Sequence, residues 1–395
     1  MGGDIAEKLA EYLWAFPMPA LLAAAGLWCA LQFRLEPYRH PVRTLRETFG
    51  SSFGAVCTAL SGTVGTGNIV GVALAIELGG PGALFWMWVS ALLGMGARYG
   101  EVWLSVRSAG DGTGGPMHYM KRGLGRPGMG ALFACTGALA AFGIGNGVQI
   151  GSMASVLETL PPWVPGIAAA GALLLLGSRR GRALEWLMPI MAGGYIICCL
   201  LVIGAKLQEI PRVLGDIMQG ALSPAALGWG FRRGIISSEA GLGSAPIAHA
   251  VSGTGDPDRE ALAGVGEVAV DTLLISTLTG LMLLTSGAPA GGPAWAARAA
   301  GTVLGELGGP FIALCLCLFA FTSVLSWALY GEECAAFMLG ARARAVYRVI
   351  FAAFAVFGGL FPLDGALAVS DILNASMALV NTASLFMYRK APPTG

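Results

Sequence analysis

Charged residues are scarce in this chain of 395 residues, because Asp, Glu, Lys and Arg together make up only 12% of it. The sequence also has only three His, no H-E-x-x-H motif and no C-x-x-C pair among its eight Cys. These absences argue against a soluble globule, a metalloprotease, a structural zinc site and a disulfide framework. His249 has no evident nucleophile partner, so we expect no enzymatic activity. The net charge of +1 gives no indication of nucleic-acid binding.

Apolar residues dominate instead, with 55% hydrophobic residues, 60 Gly and a mean hydropathy of +0.69. This composition predicts an all-α polytopic membrane protein in contact with a lipid bilayer. The N-terminus has no basic region or clear cleavage site, so no cleaved signal peptide is expected. About eleven segments are candidates to span a bilayer, and they lie at 13–33, 53–78, 83–106, 129–157, 164–177, 184–205, 228–251, 262–286, 311–339, 346–361 and 366–387.

Lys and Arg residues are concentrated in alternate loops, for example at Arg43, Arg122, Arg180 and Arg344. Loops rich in these residues stay on the cytoplasmic side of a membrane. The distribution therefore predicts a multi-pass protein of a bacterial or archaeal plasma membrane, with the N-terminus outside and the C-terminus in the cytoplasm. Arg98, Arg232 and Arg233 fall within or at the edge of predicted spans.

The second span contains the run Ser61-Gly-Thr-Val-Gly-Thr-Gly-Asn-Ile-Val-Gly71. Its dense glycines weaken a helix, and Thr63, Thr66 and Asn68 add polar groups at the same place. A helix broken in mid-membrane offers amides to an anion and carbonyls to a cation. The alternative is a small-residue face for close helix packing.

A second polar and glycine-rich run, Ser237-Ser-Glu-Ala-Gly-Leu-Gly-Ser244, follows five spans later. Two interrupted helices at corresponding positions predict two five-helix repeats, and an odd number of spans per repeat makes the repeats inverted. The binding site should then lie near the midplane, where the two breaks face each other. The predicted organisation is an N-terminal helix and cytoplasmic linker at 1–50, a first repeat at 51–205, an extracellular connector at 206–227, a second repeat at 228–388 and a cytoplasmic tail at 389–395.

Several motifs together resemble the alanine/glycine:cation symporters, and they extend over nearly the whole chain. They include Gly62-Thr-Val-Gly-Thr-Gly-Asn-Ile-Val-Gly71, Gly79-Gly-Pro-Gly-Ala-Leu-Phe-Trp-Met-Trp88, Gly114-Gly-Pro-Met117, Phe142-Gly-Ile-Gly-Asn146 and Glu239-Ala-Gly-Leu-Gly-Ser-Ala-Pro-Ile-Ala-His249. The resemblance implies a leucine-transporter-like fold and import of alanine or glycine with sodium. Ile236 and Ser238 stand where the family pattern has Phe and Asn, which leaves the exact amino acid open.

A zwitterionic substrate needs donors for its carboxylate and acceptors for its ammonium group, and the two breaks can supply both. Asn146 and Gln149 share one helix face and can point into the same cavity, or they can join helices. Trp327 can cap the pocket or simply pack. The predicted substrate site consists of Thr66, Gly67, Asn68, Asn146, Gln149, Ile236, Ser237, Ser238 and Trp327.

Sodium is a hard cation that prefers oxygen ligands, by analogy with calcium and magnesium. The resemblance implies a cation position between the first and eighth core helices. The predicted sodium ligands are Ser61, Thr63, Val64, Asn68, Thr322 and Ser323. The alternative for Thr322 and Ser323 is a hydrogen bond to their own helix.

Placing a charged group inside a membrane span costs free energy, so such a group is expected to have a function. The alternative is that it pairs with another charged group and holds two helices together. The charged residues inside the predicted spans are Arg98, Glu101, Glu239, Asp271, Glu332 and Glu333. Of these carboxylates, we expect only Glu239 to lie near either break.

The sequence thus predicts a secondary active transporter that carries small neutral amino acids with sodium by alternating access. It predicts no cofactor beyond the coupling ion and no obligate protein partner. A proton-coupled carrier is the first alternative. An ion channel is a weaker one, because it needs a continuous polar lining or a ring of like carbonyls.

Overall fold

The computed structural model describes residues 2–50, 52–110, 113–292, 294–360 and 363–388, and this part of the chain forms helices and no strand. The predicted tail at 389–395 lies outside it. The main helices are Gly2–Ala15, Pro17–Gln32, Phe53–Thr63, Val70–Gly79, Ala83–Arg107, Pro127–Phe142, Val148–Val156, Val164–Leu176, Arg180–Ala205, Pro224–Ser238, Ala245–Ser252, Pro257–Val268, Thr277–Thr285, Gly308–Leu339, Ala343–Gly358 and Leu363–Met387. Shorter helices between them are Glu36–Arg39, Pro41–Thr48, Pro116–His118, Ile210–Gly220 and Trp295–Leu304.

The all-α membrane fold is confirmed, with fewer clear spans than the sequence predicts. Six helical segments of the described residues are long and apolar enough to cross a bilayer. A seventh is the pair Phe53–Thr63 and Thr66–Gly79, which is bent by 67°. Helix Val164–Leu176 is apolar but short, as expected. The count of about eleven spans stays a prediction.

Two predicted boundaries are wrong. The first span was placed at 13–33, whereas a helix already runs over Gly2–Ala15 and a new one begins at Pro17. Proline is well tolerated in the first turn of a helix, where its missing N–H is not needed. The connection between the predicted spans at 262–286 and 311–339 was assigned no helix, whereas it contains helix Trp295–Leu304. Its alanine content favours a helix, and it buries its apolar face.

Two of the apolar helical segments contain a wider turn with i to i+5 hydrogen bonds, at Gly143–Gly147 and Ala269–Ser276. A further turn of this kind, Tyr119–Gly123, extends the short helix Pro116–His118. Such π turns are rare and occur mainly at functional sites. Of the two in apolar segments, the first carries Asn146 and the second carries Asp271. Neither turn is apparent from the sequence, and each carries a buried polar side chain.

Helix Gly308–Leu339 runs alongside helix Phe53–Thr63 and fixes its position. Ser326 Oγ and Tyr330 Oη donate to the carbonyl oxygen of Thr58 at 3.0 and 3.4 Å. The same long helix is tied to other helices by ion pairs of its acidic residues. Glu332 accepts two hydrogen bonds of 2.6 Å from Arg180 and two of 2.8 and 2.9 Å from Arg348, and Glu333 pairs with Arg344 at 2.7 Å. These acids therefore join helices, the second of the two roles considered for them.

Candidate functional site

The first break separates helix Phe53–Thr63 from helix Val70–Gly79. Val64 and Gly65 have extended backbone, and the Gly65 N–H donates to Asn68 Oδ1 at 3.1 Å. Asn68 thus closes the single turn that follows the break. The glycine and polar run opens the helix here as predicted, although the first three residues of that run are still helical.

The second break begins where helix Pro224–Ser238 ends. Glu239 adopts the left-handed conformation, with φ 50° and ψ 20°. A non-glycine residue in this region costs about 1–3 kcal/mol and persists only where its surroundings enforce it. Arg98 donates to the carbonyl of Ser238 at 2.6 Å, and Ser244 Oγ donates to Glu239 Oε2 at 2.6 Å. The scaffold therefore holds this helix end in a defined position.

Asp271, on the second π turn, connects the two breaks. Its Oδ1 accepts from Asn68 Nδ2 at 2.8 Å, and its Oδ2 accepts from Ser237 Oγ at 2.9 Å and from Thr272 Oγ1 at 2.7 Å. Asn68 Nδ2 also lies 3.2 Å from the Asp271 carbonyl and from Ser276 Oγ. One carboxylate therefore holds a polar group from each broken helix.

This arrangement corrects one expectation. Glu239 was expected to be the only carboxylate near either break, which is wrong because Asp271 contacts both. The sequence marks Asp271 as a costly charge within a span, and Asp271-Thr272 belongs to the motifs of the family resemblance, but neither observation places Asp271 at a break. Periodicity along one helix could not show that it meets Asn68, which is 203 residues away in the chain.

A cavity of about 340 Å³ lies between the two breaks. It extends from the first break to the exposed side chains of Glu7 and Glu11 near the N-terminus. A volume of this order suits a small ligand. The predicted substrate residues that line it are Thr66, Gly67, Gln149, Ile236 and Ser237, and Thr63 of the predicted sodium set lines it too.

The other predicted substrate residues lie behind the cavity wall. Asn68 is fully buried and points to Asp271. Asn146 donates to the carbonyl of Phe351 on a neighbouring helix at 2.9 Å, which matches the alternative of joining helices. Ser238 and Trp327 are each 1% exposed, so Trp327 packs in the core and does not cap the cavity.

Gln149 presents a hydrogen-bond acceptor to the first break. Its Nε2 donates to the carbonyl of Ile144 at 3.0 Å. Its Oε1 has no hydrogen-bond partner within the described residues. If Gly65 carried a side chain, the Cβ atom would lie 3.6 Å from this oxygen, so the oxygen faces Gly65 at the break. A buried acceptor of this kind needs a partner, such as water or the substrate. Gln149 is thus placed to accept from a donor group in the cavity.

The hydroxyls predicted for the sodium site all bond within their own helices. Each hydroxyl donates to the carbonyl oxygen of the residue three or four positions earlier, at 2.6–3.4 Å. The four residues are Ser61, Thr63, Thr322 and Ser323. These bonds match the alternative considered for Thr322 and Ser323, and they leave oxygen lone pairs free. Val64 is fully buried beside them at the break.

Thr322 and Ser323 differ in what else they contact. Ser323 Oγ would lie 3.2 Å from a Cβ atom on Gly65, so it faces the first break. Thr322 Oγ1 lies 3.5 Å from Met191 Sδ on another helix. Ser323 therefore lies next to the break, whereas the recorded side-chain contact of Thr322 outside its own helix is with Met191.

An arginine pair of the cavity lining, Arg232 and Arg233, was given no role by the sequence. Arg232 forms an ion pair with Asp371 at 3.3 Å, and both line the cavity. Arg233 lines it too and faces Gly71, where a Cβ atom would lie 3.7 Å from Arg233 Nη1. The signal that could have drawn attention to them was the pair of adjacent arginines inside a predicted span. Charges at this depth are expensive unless they face a cavity or a partner.

Comparisons with known proteins identify relatives of this chain and a solved structure of similar fold. The chain is 36% identical to the sodium/alanine symporter AgcS of Methanococcus maripaludis, over 97% of this chain and 94% of that one. It is 32% identical to a probable sodium/glutamine symporter, GlnT, of Bacillus subtilis, over 96% and 87%. Among solved structures, a manganese transporter of Eremococcus coleocola has the same fold, with a TM-score of 0.55, 15% identity and coverage of 85% and 76%.

The family assignment rests on a match over nearly the full length of the chain. A sequence profile of the sodium:alanine symporter family matches residues 3–392. The family and the relatives are transporters, which agrees with the expectation that the protein is not an enzyme. The chain belongs to the sodium:alanine symporter family and is a multi-pass membrane transporter.

Proposed function

We propose that the protein carries a small neutral amino acid, such as alanine or glycine, into the cell together with sodium. The observation that carries this proposal is the position of Asp271, which bonds to Asn68 at the first break and to Ser237 beside the second. A cation that binds here and a zwitterion in the adjoining cavity would interact with both broken helices at once. Binding would therefore act on the segments that have to move in alternating access.

The substrate groups have matching partners in the cavity. The amides at Thr66 and Gly67 follow a helix interruption and can bind the substrate carboxylate. Gln149 Oε1 offers an acceptor for the ammonium group. Sodium would use oxygens of Asp271, Asn68 and the carbonyls around Val64, together with Ser323, since hard cations prefer oxygen.

We further propose that the cavity faces the outside of the cell membrane. The basic loops predict an external N-terminus, and the cavity reaches the exposed Glu7 and Glu11 at that end of the chain. Two inverted five-helix repeats at 51–205 and 228–388 would rock around the breaks. No cofactor beyond sodium and no protein partner is required by this mechanism.

A proton-coupled carrier is the second candidate, because two carboxylates lie at the site. Asp271 joins the breaks, and Glu239 lines the cavity at the second one. Either group could change its protonation when the substrate binds. An ion channel is less well supported, because the two breaks present different groups instead of a ring of like ligands.

Uptake of labelled alanine into proteoliposomes tests these candidates. We expect concentrative uptake with an inward sodium gradient and little response to an imposed pH gradient at constant sodium. Full accumulation driven by a proton gradient in sodium-free buffer would assign coupling to Glu239 or Asp271. Passive equilibration under both gradients would indicate a channel.

The two hydroxyls on helix Gly308–Leu339 provide a more specific test of sodium binding. Because Ser323 faces the first break and Thr322 faces Met191, we expect Ser323→Ala to raise the sodium concentration for half-maximal uptake at least severalfold. Thr322→Ala is the matched control and should change it much less. Equal effects of the two substitutions on sodium dependence would contradict the proposed position of the ion.

Ile236 sets the size limit of the pocket in our proposal. It lines the cavity where the related pattern has Phe, so the site should accept amino acids somewhat larger than alanine. One methylene is worth about 1–3 kcal/mol of discrimination. We expect serine and alanine both to compete with labelled glycine, and Ile236→Phe to weaken competition by serine more than competition by glycine. Strict glycine selectivity in the unmodified protein would contradict this prediction.

A further inference from the structure

Helix Pro41–Thr48 is too short to cross a membrane, since eight residues extend about 12 Å. It follows the membrane-spanning segment Ile5–Gln32 and precedes the first half-helix, Phe53–Thr63. Its place between two membrane segments puts it at the membrane surface. The helix packs on one side against Pro257–Val268, where Thr48 Oγ1 meets Gly266 and Thr48 is buried.

The opposite side of this helix exposes large apolar side chains. Val42, Leu45 and Phe49 are 79%, 55% and 62% exposed. Their spacing of three and four residues places them on one stripe. An apolar stripe on a short surface helix is the feature that inserts into the boundary between lipid headgroups and acyl chains.

A basic stripe runs beside the apolar one. Arg43 and Arg46 lie on the helix and Arg39 lies just before it; all three are exposed and line one concavity together with Val42. Within the described residues they form no ion pair, although Glu47 lies in the same concavity as Arg43 and Arg46. Arg259 lines this concavity too and pairs with Asp256 at 3.3 Å. The surface therefore keeps an excess of positive charge.

A second amphipathic helix, Ile210–Gly220, offers an internal comparison. Its arginine, Arg212, is already neutralised by Glu209 at 2.8 Å and Asp216 at 3.0 Å. Hence this helix presents an apolar face without unpaired positive charge.

The two amphipathic helices lie at opposite ends of helix Ala83–Arg107. Near one end, Trp86 donates to the carbonyl of Ala221, just after Ile210–Gly220. Near the other end, Trp103 donates to Asp258, on the helix that packs against Pro41–Thr48. The two tryptophans are separated by about 26 Å at 1.5 Å per residue, close to the thickness of a hydrocarbon core. Each helix therefore faces a different leaflet.

We propose that helix Pro41–Thr48 is an interfacial helix that binds the phosphates of anionic phospholipids. Arg39, Arg43 and Arg46 contact the headgroups, while the stripe of Val42, Leu45 and Phe49 enters the layer beneath them. The combination of unpaired arginines with an adjacent apolar stripe selects an anionic lipid surface over a free anion, because a free anion makes no use of the apolar stripe. Since the helix leads directly into the first half-helix, bound lipid restrains the segment that carries the first break.

The full-length protein, purified in a neutral detergent, provides the test. Dioctanoyl phosphatidylglycerol and dioctanoyl phosphatidylcholine are titrated separately, and the shift in thermal unfolding temperature gives an apparent lipid affinity that does not depend on transport. We expect the anionic lipid alone to give a saturable shift. Each arginine removed should weaken this affinity about fivefold, and Arg43→Gln with Arg46→Gln should weaken it more than tenfold.

Arg212→Gln is the matched control and should leave the response unchanged. Leu45→Ser should weaken the response while keeping all the charges. These arginines are exposed, and either single Arg→Gln variant serves if the double variant unfolds. An undiminished response in the arginine variants, equal responses to both lipids, or an equal shift from inorganic phosphate at the same concentration would overturn the proposal.

Discussion

We expect Asp271→Asn to reduce sodium-driven uptake of alanine at least a hundredfold. The side chain keeps its size, but it loses the negative charge that would balance a bound cation. The new NH2 group either cannot accept from Asn68 Nδ2 or has to reverse the hydrogen bond that the Ser237 hydroxyl donates in the unmodified protein. An unmade buried hydrogen bond costs about 1–3 kcal/mol, and a hundredfold loss corresponds to about 2.7 kcal/mol. Initial rates in proteoliposomes over a range of sodium concentrations provide the measurement.

Thr272→Val is the control for this substitution. It removes one donor to Asp271 Oδ2 but leaves the charge and the contacts to both breaks in place. We expect a loss of about tenfold, because one hydrogen bond to a charged group contributes about 1.5 kcal/mol or more while the bonds to both breaks remain. If Asp271→Asn transports within threefold of the unmodified protein while remaining sodium-dependent, Asp271 does not couple the breaks, and the carboxylate serves only to hold the helices.

Asn68→Ala should abolish uptake while the protein still folds. Asn68 accepts from the Gly65 N–H and donates to Asp271 and Ser276. Alanine removes all of these bonds, so the turn after the break loses its closure and the Asp271 carboxylate loses a donor. The measurements are uptake in proteoliposomes and the thermal unfolding temperature in detergent. The unfolding temperature should fall modestly, because the hydrogen bonds that are lost belong to a fully buried side chain.

Asn374→Ala makes the same chemical change at another buried position, on the last helix, that does not line the cavity. We expect uptake within about twofold of the unmodified protein, since Asn374 Oδ1 accepts no hydrogen bond within the described residues and the side chain does not line the cavity. Near-normal uptake by Asn68→Ala, or an equal loss in both variants, would show that the first break is not where substrate and ion are bound.

The sequence alone was enough to predict the class of protein, the two breaks and the family. Composition and hydropathy reflect the solvent that the chain has to satisfy, and a bilayer leaves few alternatives to helices. The glycine-rich runs around Gly65 and Gly241 signal interruption locally, because glycine weakens a helix wherever the helix is placed. The motifs are specific enough to indicate the family without the tertiary structure.

Only the tertiary structure decided which side chains meet. It brought Asp271 to both breaks, directed Ser323 and Thr322 to different neighbours, and moved Trp327 from the cavity to the core. It also exposed Arg233 to the cavity. These outcomes depend on π turns and on packing between helices that are far apart in the chain. Local propensity acts over a few neighbouring residues, whereas a site of this kind is assembled from contacts across space, and these exist only once the helices have packed.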